Sequence, residues 1–126
     1  MISIGGKKGV TVPVKQDQET LCQRFGLAPA YVLETAKLGV SRNVIESDLW
    51  PLNGMRHPAE NGTCGWYLWA GTEFSDDPDF FTPLHAKHLF EHRPEVVAYL
   101  GLPPGWRFLI APKYEDVWQD DSLLKI

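Results

Sequence analysis

An α+β class is expected for this chain: a single domain whose antiparallel or mixed sheet is packed by a pair of helices from its C-terminal half, preceded by an N-terminal extension. Three features carry that expectation. Strand-like runs are followed by a helix pair and then by more strand-like runs, with no βαβ alternation. The 126 residues, 44% hydrophobic and 22% charged, match one globular domain able to bury a core. Twelve of the fifteen aromatic residues fall between Trp66 and Trp118, which centres the expected core on the C-terminal two thirds. The boundary is set between an extension, residues 1–35, and a domain, residues 36–126.

Along the chain, Gly5-Gly6-Lys7-Lys8-Gly9 reads as a flexible opening, and Val10–Val14 as a β-prone run that Pro13 confines to an edge or arm. Asp17 is placed to cap a short helix over Gln18–Phe25, with Leu21 and Phe25 four apart and Gly26 ending it. Residues 30–38 fit helix and strand equally well, and Gly39 separates them from Val40–Ile45. Trp50–Met55 and Gly65–Ala70 read as an antiparallel pair joined by a loop containing Pro58, Asn61 and Gly62. Thr82-Pro83 predicts a helix start, capping hydroxyl then proline, with the helix running to about His92. A second helix follows from Arg93-Pro94, with Val96, Val97 and Leu100 as its apolar stripe up to Gly101. Trp106–Ala111 is a strong strand, and Val117-Trp118 starts a last one.

The formal net charge of −4 hides an asymmetry. Residues 1–42 carry +3 and residues 43–126 carry −7. Half of the sixteen acids lie in two short stretches: Glu73, Asp76, Asp77 and Asp79, then Glu115, Asp116, Asp120 and Asp121. Concentrated acids argue against a nucleic-acid partner, which requires a basic face. The longest apolar runs are too short to span a bilayer, and the first residues lack the pattern of a secretory signal. Two cysteines, Cys22 and Cys64, without CxxC spacing suggest neither a disulfide framework nor a zinc site.

Few residues combine into recognisable chemistry. His85, His88 and His92, at i, i+3 and i+7, share one face of the expected helix and are the candidates for a transition metal; no HExxH pattern accompanies them. Asp76-Asp77-Pro78-Asp79 offers clustered oxygens for calcium but lacks an EF-hand's spacing, and suits a turn equally well. No serine occupies a Gly-x-Ser-x-Gly elbow, and Cys64 reads better as a small buried hydrophobe than as a nucleophile. Gly5–Gly9 does not fit a phosphate-binding loop. On a strand, Trp66 and Leu68 share one side while Tyr67 and Trp69 share the other. Both sides are bulky and apolar, so the strand is either covered twice or presents one side to another protein.

These segments together resemble immunity protein family thirty-three of bacterial polymorphic-toxin systems. The resemblance rests on Val40-Ser41, Trp50-Pro-Leu-Asn-Gly-Met-Arg56, Cys64-Gly-Trp-Tyr-Leu-Trp-Ala-Gly-Thr-Glu73, Pro94-Glu-Val-Val-Ala-Tyr-Leu100, Leu102-Pro-Pro-Gly-Trp-Arg-Phe-Leu-Ile110 and Tyr114-Glu-Asp-Val-Trp118, and spans roughly residues 36–126. Thr63-Cys64 departs from it, where an Asp-Ser-like pair is expected before Gly-Trp. The resemblance implies a non-catalytic cytoplasmic antidote that binds and occludes a toxin domain, with no catalytic residues and no cofactor. The partner-binding candidates are Glu73, Asp76, Asp77, Asp79, Phe80, Phe81, Glu115, Asp116, Trp118, Asp120 and Asp121. The competing readings are a metal-binding or hydrolytic enzyme using His85, His88 and His92, and an accessory structural domain of a toxin or secretion locus.

Overall fold

The computed structural model describes residues 13–125 apart from 61, 76 and 78. The chain runs α1 (Val14–Arg24), β1 (Lys37–Ser41), α2 (Arg42–Glu46), β2 (Leu52–Arg56), β3 (Trp66–Ala70), β4 (Phe81–His85) and α3 (Ala86–His92). A 3-10 helix (Pro94–Gly101), β5 (Trp106–Ala111), β6 (Tyr114–Gln119) and a final 3-10 turn (Asp121–Leu124) complete it. The strands form one six-stranded sheet in the order β4-β1-β3-β2-β5-β6. β1 and β3 run parallel and the other neighbouring pairs antiparallel, so the sheet is mixed and the fold is α+β.

Strand alternation gives the sheet two unlike faces. Leu38, Val40, Leu52, Trp66, Leu68, Phe108 and Ile110 point to one side and join Val44, Leu89, Phe90, Val96, Val97 and Leu100 from the helices in one buried cluster. Each such side chain contributes about 1.5–3 kcal/mol by leaving water. Gly54, between Leu68 and Phe108 in register, carries no side chain because the Phe108 ring lies across it; a Cβ there would sit 2.3 Å from that ring.

The opening helix belongs to the same core. Val14, Gln18, Leu21 and Cys22 form its buried face, and Val32 beyond it is also fully buried. The Gln18 amide accepts from the Val32 N–H at 3.0 Å and donates to the carbonyls of Val32 at 2.9 Å and Val97 at 3.2 Å. One buried amide thus ties α1, the loop after it and the 3-10 helix together. The core therefore reaches well upstream of the aromatic-rich segment on which it was expected to centre. Residues 10–12 and the Gly5–Gly9 opening lie outside the described residues, and Val14 is helical rather than part of a β-prone arm. Asp17 stands in the first turn of α1 instead of capping it, because Pro13 precedes the helix and its carbonyl already accepts the Asp17 N–H at 2.7 Å.

The expected helix from Thr82 to His92 is half strand. Phe81–His85 pairs antiparallel with β1, and the helix begins only at Ala86. The free side of β1 needs hydrogen-bonding partners, and Pro83, which has no N–H, is tolerated because β4 is an edge strand. The second helix of the pair is a 3-10 helix whose Val96, Val97 and Leu100 are buried as expected. Of residues 30–38, only Lys37 and Leu38 are strand, and the last strand extends over Tyr114–Gln119.

Candidate partner-binding face

The α-helices and the longer 3-10 helix pack on the core side of the sheet. Among the described helical segments the other face meets only the short final 3-10 turn, through Asp120 on Arg107 and the Leu123 carbonyl on His57. Register places Phe81, Tyr67, Trp69, Met55, Asn53, Leu109, Arg107, Asp116 and Trp118 on that other face. Phe74 and Phe80, from the loop before β4, close a ring cluster with Trp69 and Phe81: centroids lie 5.1 Å apart for Trp69–Phe74, 4.8 Å for Phe80–Phe81 and 5.2 Å for Tyr67–Phe81. These tilted and edge-to-face contacts are worth about 0.5–1.5 kcal/mol each beyond burial. They shield Trp69 yet leave Phe74 49% exposed. Gly39 makes the arrangement possible, since a Cβ there would stand 2.7 Å from the Tyr67 ring and prevent it from leaning toward Phe81. The anticipated division of Trp66 and Leu68 from Tyr67 and Trp69 is what separates the core from this face.

The structure sorts the acidic candidates into different positions. Glu73, Asp77 and Asp79 are exposed on the loop that carries Phe74 and Phe80, and the Asp77 carboxylate accepts the Asp79 N–H at 2.9 Å. Asp76 lies outside the described residues. The second cluster belongs to the opposite edge, five strand spacings or roughly 24 Å away. It is also split between faces. Glu115 turns to the helix side, accepting from Arg24 at 2.6 and 3.0 Å and from the Tyr99 hydroxyl at 2.5 Å. Asp116 and Trp118 point to the open face. Asp120 accepts from the N–H and hydroxyl of Ser122 and pairs with Arg107 at 3.2 Å, so it caps the final turn that contains exposed Asp121.

These contacts set the titration of the groups involved. Hydrogen bonds from Arg24 and Tyr99 hold Glu115 below the usual glutamate value, and burial with the bond to Glu115 pushes Tyr99 up to about 12. Ser122 and then Arg107 lower Asp120. Glu115 and Asp120 are thus committed to partners within the chain.

The three histidines do not share a helix face. His85 is in β4, while His88 and His92 stay exposed on α3, the Nδ1 of His92 lying 3.0 Å from the His88 carbonyl oxygen. Among the described residues no three His, Cys, Asp or Glu side chains gather closely enough to hold a metal ion. Cys22 is buried with its Sγ 3.4 Å from the Gly101 carbonyl oxygen, and burial raises its thiol. No helix among the described residues is long and apolar enough to cross a membrane.

Two cationic struts escaped the sequence reading. Arg56 is buried on the core side, where its guanidinium donates to the carbonyls of Cys64, Ala30, Leu100 and Leu102 at 2.8–3.3 Å. Arg93 collects the carbonyls of Val44, Ser47 and Leu49 at 2.8–3.0 Å and stacks on Trp50. No local pattern marks a surface-type residue as buried, so only the converging carbonyls reveal them.

A one-sided α+β sheet with helices on one face and exposed aromatic rings on the other defines a domain of the single-sheet, two-layer class. Residues 17–120 match the Imm33-like domain, so the chain belongs to the Imm33-like family of immunity-protein domains. The match starts inside α1, the helix that Gln18 fastens to the core. Comparison with curated proteins and with solved structures returned no match.

Proposed function

We propose that this chain is an immunity protein that acts inside the cell, binding a cognate toxin domain through its open sheet face and occluding the toxin's active site without catalysis. Family membership supports the class of role. The observation that supports the surface is the aromatic cluster of Tyr67, Phe74, Phe80 and Phe81 packed around buried Trp69, with Phe74 exposed and Glu73, Asp77 and Asp79 at its border. Aromatic anchors at the centre of an interface supply affinity, and rim charges supply orientation and association rate. An acidic rim suits a toxin with a basic cleft. Of the second acidic stretch, Asp116, Trp118 and Asp121 remain available to extend the contact, whereas Glu115 and Asp120 serve the fold.

The test is a rescue assay with the toxin domain encoded beside this chain's gene. Wild-type protein is expected to restore growth and to co-purify with the toxin domain. Phe74→Ala combined with Phe80→Ala, both on the loop before β4, is expected to lose rescue while the thermal transition is retained. Full rescue by that folded double variant would place the binding surface elsewhere.

A further inference from the structure

The open face contains a recess of about 210 Å³ lined by Met55, His57, Glu60, Tyr67 and Phe81. Met55 and Tyr67 are cross-strand neighbours on β2 and β3. His57 stands edge-on to the Tyr67 ring at 5.5 Å. It is fixed there by a 3.0 Å hydrogen bond between its Nδ1 and the Leu123 carbonyl oxygen. A carbonyl oxygen only accepts, so Nδ1 donates its proton in this bond and Nε2 is left toward the recess. Glu60 is held in the β2–β3 connection, where its carbonyl accepts from the Thr63 N–H at 2.9 Å and hydroxyl at 3.0 Å. No described residue pairs with its carboxylate.

We propose that this recess is the socket for an arginine side chain of the partner protein, its stem lying against Met55 and its guanidinium on the Tyr67 and Phe81 rings, paired with Glu60. The proposal rests on the partner-binding reading above and names one anchor within it. The molecule already holds two of its own arginines by the same pair of groups. Arg107, one strand over from Met55 on the same face, stacks on Trp118 at 5.3 Å and pairs with Asp120. Arg24 stacks on Phe25 at 5.3 Å and pairs with Glu115. The recess offers the ring and the carboxylate without the cation. An apolar side chain would fill the space but cut Glu60 and His57 off from water without replacing their hydrogen bonds. A lysine would meet the charge but not the planar stacking and forked donation of a guanidinium. The larger cleft by Trp50, Glu95, Tyr99 and Tyr114, about 280 Å³, is unsuited to a cation because Arg93 already stacks on Trp50 and Arg24 lies beside Tyr99.

The socket is testable without the toxin. N-acetyl-arginine amide, its citrulline analogue of nearly the same shape without the charge, and N-acetyl-lysine amide are titrated while the Met55 methyl and the Tyr67 ring are followed by NMR. The arginine probe is expected to saturate in the millimolar range, with citrulline and lysine each weaker by about five-fold. Glu60→Gln, on an exposed loop, is expected to keep the thermal midpoint and to erase the difference between arginine and citrulline. Equal binding of arginine and citrulline, shifts confined to other parts of the surface, or an unchanged preference in Glu60→Gln would overturn the socket. The toxin arm separates the two readings: if the toxin domain does not bind wild-type protein, the immunity reading fails whatever the probes do. If it binds wild type and Glu60→Gln with equal dissociation rates, the socket alone fails.

Discussion

Arg56 sits where an aliphatic residue would be expected, between the end of a central strand and the 3-10 helix, with its ring-side neighbour Trp66 5.7 Å away. Burial pushes its pKa down, and the four carbonyl acceptors stabilise the charged form in return. Replacing Arg56 by Met strands those carbonyls, and a loss of about 2–4 kcal/mol is expected in a denaturant titration. The Arg24–Glu115–Tyr99 contact carries two pH predictions of opposite sign. Glu115 titrates below its ordinary 4.5 when folded, so its contribution is complete above that pH and is lost as pH falls further. Glu115→Gln should therefore flatten the acid limb of the stability–pH curve. Tyr99 is raised from 10.0 to about 12, so its contribution is complete below pH 10 and disappears as pH rises through about 12. Ultraviolet titration should show a phenolate forming near pH 12, and Tyr99→Phe should remove that step.

At the scale of elements, the two edge strands explain a second use for the acids. β4 carries Pro83, and β6 carries Glu115 and Asp116, both standard means of discouraging edge-to-edge pairing. Acids at an edge oppose pairing with a second copy of the chain, so a charge variant must be examined for self-association as well as for partner binding. Changing Glu73, Asp77 and Asp79 to Gln, Asn and Asn is expected to slow association with the toxin domain several-fold and to flatten its dependence on salt, with little change in dissociation. Stopped-flow measurements at two ionic strengths decide it; an unchanged association rate would remove the acidic loop from the interface. Within the sheet, Gly39→Ala is expected to displace the Tyr67 ring from its seat near Phe81, visible as altered tyrosine ring shifts. The cost in stability should be on the order of 1–3 kcal/mol.

For the whole molecule, one sheet face packs against the helices, and the proposed encounter uses the other. That division was partly legible: the alternation of Trp66, Tyr67, Leu68 and Trp69 states that one strand has two apolar sides, and the motifs along residues 40–118 state the family. Phe80 and Phe81 stand out in the sequence as an aromatic pair next to acids, whereas Phe74, four residues past the end of β3, gives no signal until its ring is placed against Trp69. Thr82-Pro83 was read as a helix start because local preference for that pair is real. The unpaired edge of β1 outweighed it, since a full ladder of backbone hydrogen bonds exceeds the worth of one cap. The two acidic stretches looked alike as composition, yet β4 and β6 stand at opposite edges, and the second stretch spends Glu115 and Asp120 on internal pairs.

What the residues determined by themselves was local and periodic: the fold class, most strand positions, the apolar stripe at Val96, Val97 and Leu100, and the absence of any familiar catalytic spacing. Those follow from hydrophobic period and turn chemistry, which act over a few residues. Strand order, the burial of Arg56 and Arg93, the fastening of α1 by Gln18 and the gathering of Met55, His57, Glu60, Tyr67 and Phe81 around one recess came only with tertiary structure. Each depends on groups far apart in the chain meeting across the sheet, and the preference of any one of them is too weak to fix where the others will be.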